Sequence, residues 1–185
     1  MSRPQWSSRQ WEGPVRVAFG YAHAGWVQLA LLTPAFGQSA VIDCSDVPPS
    51  VFQGLLTWLY ALVDARLPAT LTIDEEFRYT SLCARRTEHG EDAIEFTVTH
   101  HHDPHPNLDA VPQLRCRTWR LGLAGEFARR LQQWLAEDYD PTQFGGESFP
   151  APDDPPGRDD LRRLDLGPLL TRLAGGRGDG SEPAP

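Results

Sequence analysis

Lysine does not occur in this 185-residue chain, and all 17 of its cationic residues are arginine. Arginine codons are GC-heavy, so the bias reads as a GC-rich bacterial coding background and carries no mechanism. Cysteine is scarce too, with three residues (Cys44, Cys83, Cys116) and no CxxC pair. That argues against a disulfide framework and a cysteine-based zinc site, and it fits a reducing compartment. No apolar run approaches the roughly 18–20 residues that span a bilayer. The stretch from Met1 to Arg16 carries Trp6, Trp11 and scattered polar residues where an export signal would have a basic head and an apolar core. A cytoplasmic protein with no membrane association is expected. Cations are also outnumbered, 17 against 25 acidic residues for a formal charge of -8. Such a surface repels a phosphate backbone, so nucleic acid is not expected as a partner. GxSxG, HExxH and the lysine-bearing phosphate loop are all missing.

What is present suffices for one packed domain, since 40% of residues are hydrophobic and 10% aromatic. Val15, Val17, Phe19 and Tyr21 recur at the period of a half-buried strand, and two further strand-like runs, 26–32 and 39–44, complete an opening meander. Phe52, Leu55, Leu56, Leu59, Leu62 and Val63 then recur at three- and four-residue steps, predicting a helix over 49–64 with Pro48 and Pro49 at its start. Alternation returns at 69–74, 77–84, 93–99 and 114–121. Glu75-Glu76 is short for a hairpin turn, which leaves 69–84 open to being one bulged strand. A second amphipathic helix is predicted over 123–138, with Phe127, Leu131, Trp134 and Leu135 on one side. The expected fold is α+β: an antiparallel sheet of about six strands with both helices packed on one face. Residues 1–14 form an N-terminal arm and 15–148 the domain. Residues 149–185 read as a tail, because four prolines fall within Phe149–Gly157. Within that tail the leucines of 159–173 form an amphipathic segment interrupted by Gly167-Pro168, expected to be mobile until it docks in cis or on a partner.

Several clusters carry possible chemistry. His100-His101-His102-Asp103-Pro104-His105 has the side chains a transition metal takes, and on a straight strand His100 and His102 would share a face. No complementary ligand set accompanies it, and a solvated loop is the favoured reading; no metal and no cofactor are expected. Asp74, Glu75 and Glu76 could supply paired carboxylates, yet a charged, partner-facing strand end explains them more simply. Cys83 and Cys116 sit inside strands where a thiol is ordinary, and Ser45-Asp46 fits helix capping, so no catalytic residue is assigned. Arg115, Arg117 and Arg120 around Trp119 read as a solvated or cross-strand-paired face. Trp6 and Trp11 either fold back on the domain or anchor a partner.

The strand meander, the helix bearing Leu55-Leu-Thr-Trp-Leu59, the acidic strand end Ile73-Asp-Glu-Glu-Phe77 and the closing helix with Glu126-Phe…Trp134-Leu135 together resemble small bacterial α+β proteins, several of them immunity proteins of contact-dependent toxin systems. The resemblance covers about residues 15–140 and implies a single domain that acts by binding; it carries no functional residue over. The leading expectation is thus a non-enzymatic protein-binding module of immunity or accessory type, its acidic surface meeting a basic protein partner. Asp74, Glu75, Glu76, Leu161, Leu164, Leu169, Leu170 and Leu173 are the expected contact residues. Two alternatives come from other classes: a metal-dependent hydrolase joining His100–His105 to Asp74 or Glu76, and a scaffold component that docks through its tail.

Overall fold

The computed structural model describes residues 13–23, 25–35, 37–45, 51–76, 78–88, 90, 92–102, 110–139 and 164–175. Their order is β1 (Arg16–Phe19), β2 (Trp26–Thr33), β3 (Gln38–Ser45), α1 (Val51–Val63), β4 (Ala69–Asp74), β5 (Tyr79–Arg86), β6 (Ala93–His101), β7 (Val111–Trp119), α2 (Arg120–Glu137) and α3 (Gly167–Gly175). The class is α+β, but the strands do not form the single sheet expected. They divide into a three-stranded sheet, β1-β2-β3, and a four-stranded sheet, β4-β5-β6-β7, both antiparallel. The run over 69–84 is two paired strands rather than one bent strand, because Glu76 takes a positive φ of 65° and reverses the chain between Asp74 and Tyr79.

Strand alternation follows the pleat. Val27, Leu29 and Leu31 are buried in β2, and Ala40, Ile42 and Cys44 in β3. In β4 the inward set Ala69, Leu71 and Ile73 is extended one step past the strand by Glu75, which is also buried. Helix α1 buries Phe52, Leu55, Trp58, Leu59 and Leu62, the three- and four-residue spacing that predicted it. Helix α2 begins at Arg120, three residues earlier than expected, since Gly122 and Gly125 lie within it and interrupt the apolar pattern without breaking the helix.

One core joins both sheets to the helices. Phe52 of α1 stacks on Trp134 of α2 with ring centroids 5.5 Å apart, and Trp58 meets Phe127 edge to face at 5.4 Å. Full burial of each such side chain is worth about 1.5–3 kcal/mol against exposure. Strand β3 links the sheets at both of its ends: the Gln38 side-chain oxygen accepts from the Arg115 backbone N–H at 2.9 Å, and the Asp43 N–H donates to Glu75 Oε2 at 3.0 Å. At the end of α1, Arg120 donates to the Leu62 and Val63 carbonyls and pairs with Asp92 at 2.5 Å. Both carbonyls stand in the last turn of α1, where the helical ladder runs out, and that of Leu62 also accepts from the Ala65 N–H at 3.1 Å. Arg120, Arg115 and Arg117 therefore do not act as one basic face: Arg120 is buried, Arg115 pairs with Glu95 at 2.8 Å, and Trp119 remains 64% exposed.

Of the two placements open to the leucine-rich segment, the structure shows it docked in cis. Leu164, Leu166, Leu169 and Leu173 are buried with the main core, and Arg172 of α3 pairs with Asp64 at 2.7 Å while lying over the Tyr60 ring. Gly167-Pro168 does not break the segment, because both residues stand at the helix start, where proline lacks only a donor that has no intrahelical partner. Leu161, Trp6, Trp11 and positions 49–50 of the helix expected over 49–64 lie outside the described residues.

Candidate functional site

At the seam between the sheets a polar cluster is built on Glu75. Its Oε2 accepts from the Asp43 N–H at 3.0 Å and from Arg78 at 2.9 Å, while its Oε1 accepts from the Thr80 hydroxyl. Thr80 Oγ1 lies 2.5 Å from His100 Nδ1, and these two residues are direct cross-strand partners in β5 and β6. An ionised carboxylate only accepts, so the single Thr80 proton is directed to Glu75, and His100 Nδ1 must carry the hydrogen that it donates to Thr80. Burial works against a charged Glu75, but the hydrogen bonds from Arg78, Thr80 and the Asp43 N–H, with the Arg78 charge, outweigh it and hold the carboxyl below its usual range. Burial, then the Arg78 charge, lowers His100, with Glu75 opposing the shift. The ring is thereby held toward its neutral form.

The next residue in each strand points to the opposite face and makes a separate pair. Ser81 Oγ lies 2.8 Å from His101 Nε2 and 3.1 Å from Thr72 Oγ1, and the His101 ring stacks on Tyr79. A serine against an imidazole resembles a nucleophile and its base. Ser81 and His101 are only 4% and 2% exposed, however, and neither lines the cavity described below.

Strand β6 continues through His101, so alternation sends His100 and His101 to opposite faces and divides the histidine cluster. No group of three His, Cys, Asp or Glu converges among the described residues; Asp103 and His105 lie outside them. The hydrolase alternative paired the histidines with Asp74 or Glu76, but the carboxylate beside His100 is Glu75, its Oε1 3.8 Å from His100 Nδ1. Asp74 and Glu76 are exposed, and Asp74 Oδ1 accepts from the Glu76 N–H at 2.8 Å within the turn.

Beside Glu75 opens a cavity of about 550 Å³ lined by Gly20, Tyr21, His23, Trp26, Gln28, Asp43 and Glu75. The β1–β2 connection forms one wall: the His23 and Trp26 backbones exchange hydrogen bonds of 2.8 and 2.9 Å across a turn in which Gly25 supplies a φ of 81°. Trp26 is partly buried there, and Tyr21 stands 81% exposed. Gln28 and Asp43 face each other across β2 and β3, with Gln28 donating to Asp43 Oδ1 at 3.1 Å.

Of the expected contact residues, Asp74 and Glu76 are on the surface, whereas Glu75 is buried at the cavity floor. Leu164, Leu169 and Leu173 are buried in the chain's own core and Leu170 packs partly against it, so these side chains are not the free docking face expected. Trp26, Asp43 and Thr80 carry no site signal in the sequence, and Tyr21, which the alternation placed on the first strand's half-buried face, lies beyond β1 and is exposed. The alternation that buries Ala69, Leu71 and Ile73 does place Glu75 inward, and that signal was legible. Among the described residues no helix is long and apolar enough to cross a membrane. The chain matches no protein-family model, and searches of curated proteins and of solved structures found no significant match.

Proposed function

We propose that this chain is a non-enzymatic protein-binding module of a bacterial system, of immunity or accessory type, acting in the cytoplasm on a basic protein partner. The observation that carries the reading is the seam cavity, where the exposed Tyr21 ring stands beside the carboxylates of Asp43 and Glu75. An exposed aromatic residue at the mouth of a mainly apolar cavity that carries a few polar groups is the composition of an interface anchor. The net charge of -8 favours encounter with a cationic protein. The polar groups that might otherwise do chemistry are engaged with one another: Glu75 with Arg78, Thr80 and Asp43, and Ser81 with His101 and Thr72.

A photo-crosslinking residue at Tyr21, with the same residue at exposed Trp119 as control, tests the reading in lysate of the source organism. One discrete basic protein is expected to crosslink through position 21 and not 119, and Tyr21→Ala should weaken its complex at least tenfold. Equal capture at both positions, or none at 21, would remove the reading.

A further inference from the structure

The geometry points to the cavity beside Tyr21 as a receptor for an arginine side chain presented by the protein partner. This rests on the protein-binding reading above and names what the site recognises.

The sign of the charge decides the first choice. Asp43 and Glu75 both line the cavity, and the single guanidinium facing these two carboxylates is Arg78, which contacts Glu75 at 2.9 Å and reaches Asp43 only through its charge. One negative charge therefore remains uncompensated at the wall, so a phosphate or carboxylate ligand is repelled and a cation attracted. Gln28 engages Asp43 Oδ1, and no hydrogen bond reaches Oδ2 among the described residues. An acceptor is left at the cavity wall.

Shape and surface decide between cations. Tyr21 and Trp26 add aromatic surface to the carboxylates, and a cation within about 6 Å of such a ring gains electrostatically. A guanidinium is planar, stacks on rings and is less strongly hydrated than an ammonium. It also forks several donors at once, matching the Asp43 carboxylate and the nearby Gln28 side-chain oxygen together. A lysine ammonium would satisfy the charge but has no planar face to lay on either ring.

The probe is the tripeptide acetyl-Gly-Arg-Gly-amide, titrated into the full chain while the Trp26 indole N–H is followed by NMR. Citrulline, a neutral isostere of arginine, and lysine replace the central residue in two further titrations. A saturable Trp26 shift with the arginine peptide is expected, lost with citrulline and at least tenfold weaker with lysine. Asp43→Asn should weaken the arginine peptide at least tenfold while the melting temperature stays near that of the parent. Equal binding of the citrulline peptide, indifference to Asp43→Asn in a folded protein, or no Trp26 shift at millimolar arginine peptide would overturn the assignment. Crosslinking through position 21 that persists despite such a result removes the arginine receptor and leaves the binding module standing.

Discussion

The Asp43 backbone N–H donates to Glu75 Oε2 at 3.0 Å, and this one contact joins the end of the three-stranded sheet to the turn of the four-stranded sheet. The same oxygen faces Arg78, and the other faces Thr80. Removing the carboxylate would leave a buried N–H and hydroxyl without their acceptor. Glu75→Ala is therefore expected to cost about 2–4 kcal/mol in urea denaturation. A loss below about 0.5 kcal/mol, the range of surface positions, would show that the seam does not depend on it.

Stability should fall in two steps as pH is lowered. His100 is held below its ordinary value of 6.5, so below about pH 6.5 the unfolded chain takes up a proton that the folded chain resists, and stability declines until the folded pKa is passed. Glu75 is also held below its ordinary 4.5, so its contribution is complete above that value and is lost as pH falls through the folded pKa. Both steps have the same sign. His100→Gln should remove the upper step and Glu75→Gln the lower, as read from denaturation midpoints between about pH 7 and 3.

Because Thr80 directs its proton to the carboxylate, neutral His100 should be protonated at Nδ1. Nitrogen-15 NMR reports this directly. Thr80→Val should abolish the tautomer preference, and finding Nε2 protonated in the parent would contradict the hydrogen-bond direction.

The three thiols should react in a set order. Burial, then the charges of Glu75 and Asp43, pushes Cys44 well up, while burial and then Glu95 raises Cys116 to about 12. Cys83 is only half-buried. Since the thiolate is the reactive form, alkylation of the native protein near pH 8 should label Cys83 first, and the other two only on unfolding, as read by mass spectrometry.

The core should respond at both of its ends. Leu59 of α1 and Leu169 of α3 are each fully buried, so each change to alanine should cost about 2–5 kcal/mol. Deletion of 151–185 should lower the melting temperature, by roughly 5–15 °C if it loses as much as one such leucine. An unchanged temperature would mean that α3 adds nothing to the domain.

Much of the fold was legible because short-range periodicity carries it. The three- and four-residue apolar steps from Phe52 to Leu62 could be satisfied only by burying one helical face, and the alternation in 93–99 only by one face of a strand. The division into two sheets was not legible, since periodicity states which face is buried and not which strand is the neighbour. Whether the tail docks in cis or on a partner stayed open in the sequence for a related reason: its leucines are too few to form a core alone, and only the tertiary structure supplies the α1 and α2 surfaces that bury Leu169 and Leu173.

At the seam the same boundary applies at finer scale. Sequence by itself determined that Glu75 follows Ile73 on the inward face and that His100 and His101 point opposite ways once the strand continues, because the pleat has a period of two. Only the tertiary structure decided that Thr80 lies across from His100, that the Asp43 N–H reaches Glu75, and that Tyr21 and Trp26 wall the cavity beside them. Those relationships depend on strand register and sheet packing. Both are set by the summed burial of a whole core, and no local stretch of sequence contains that sum.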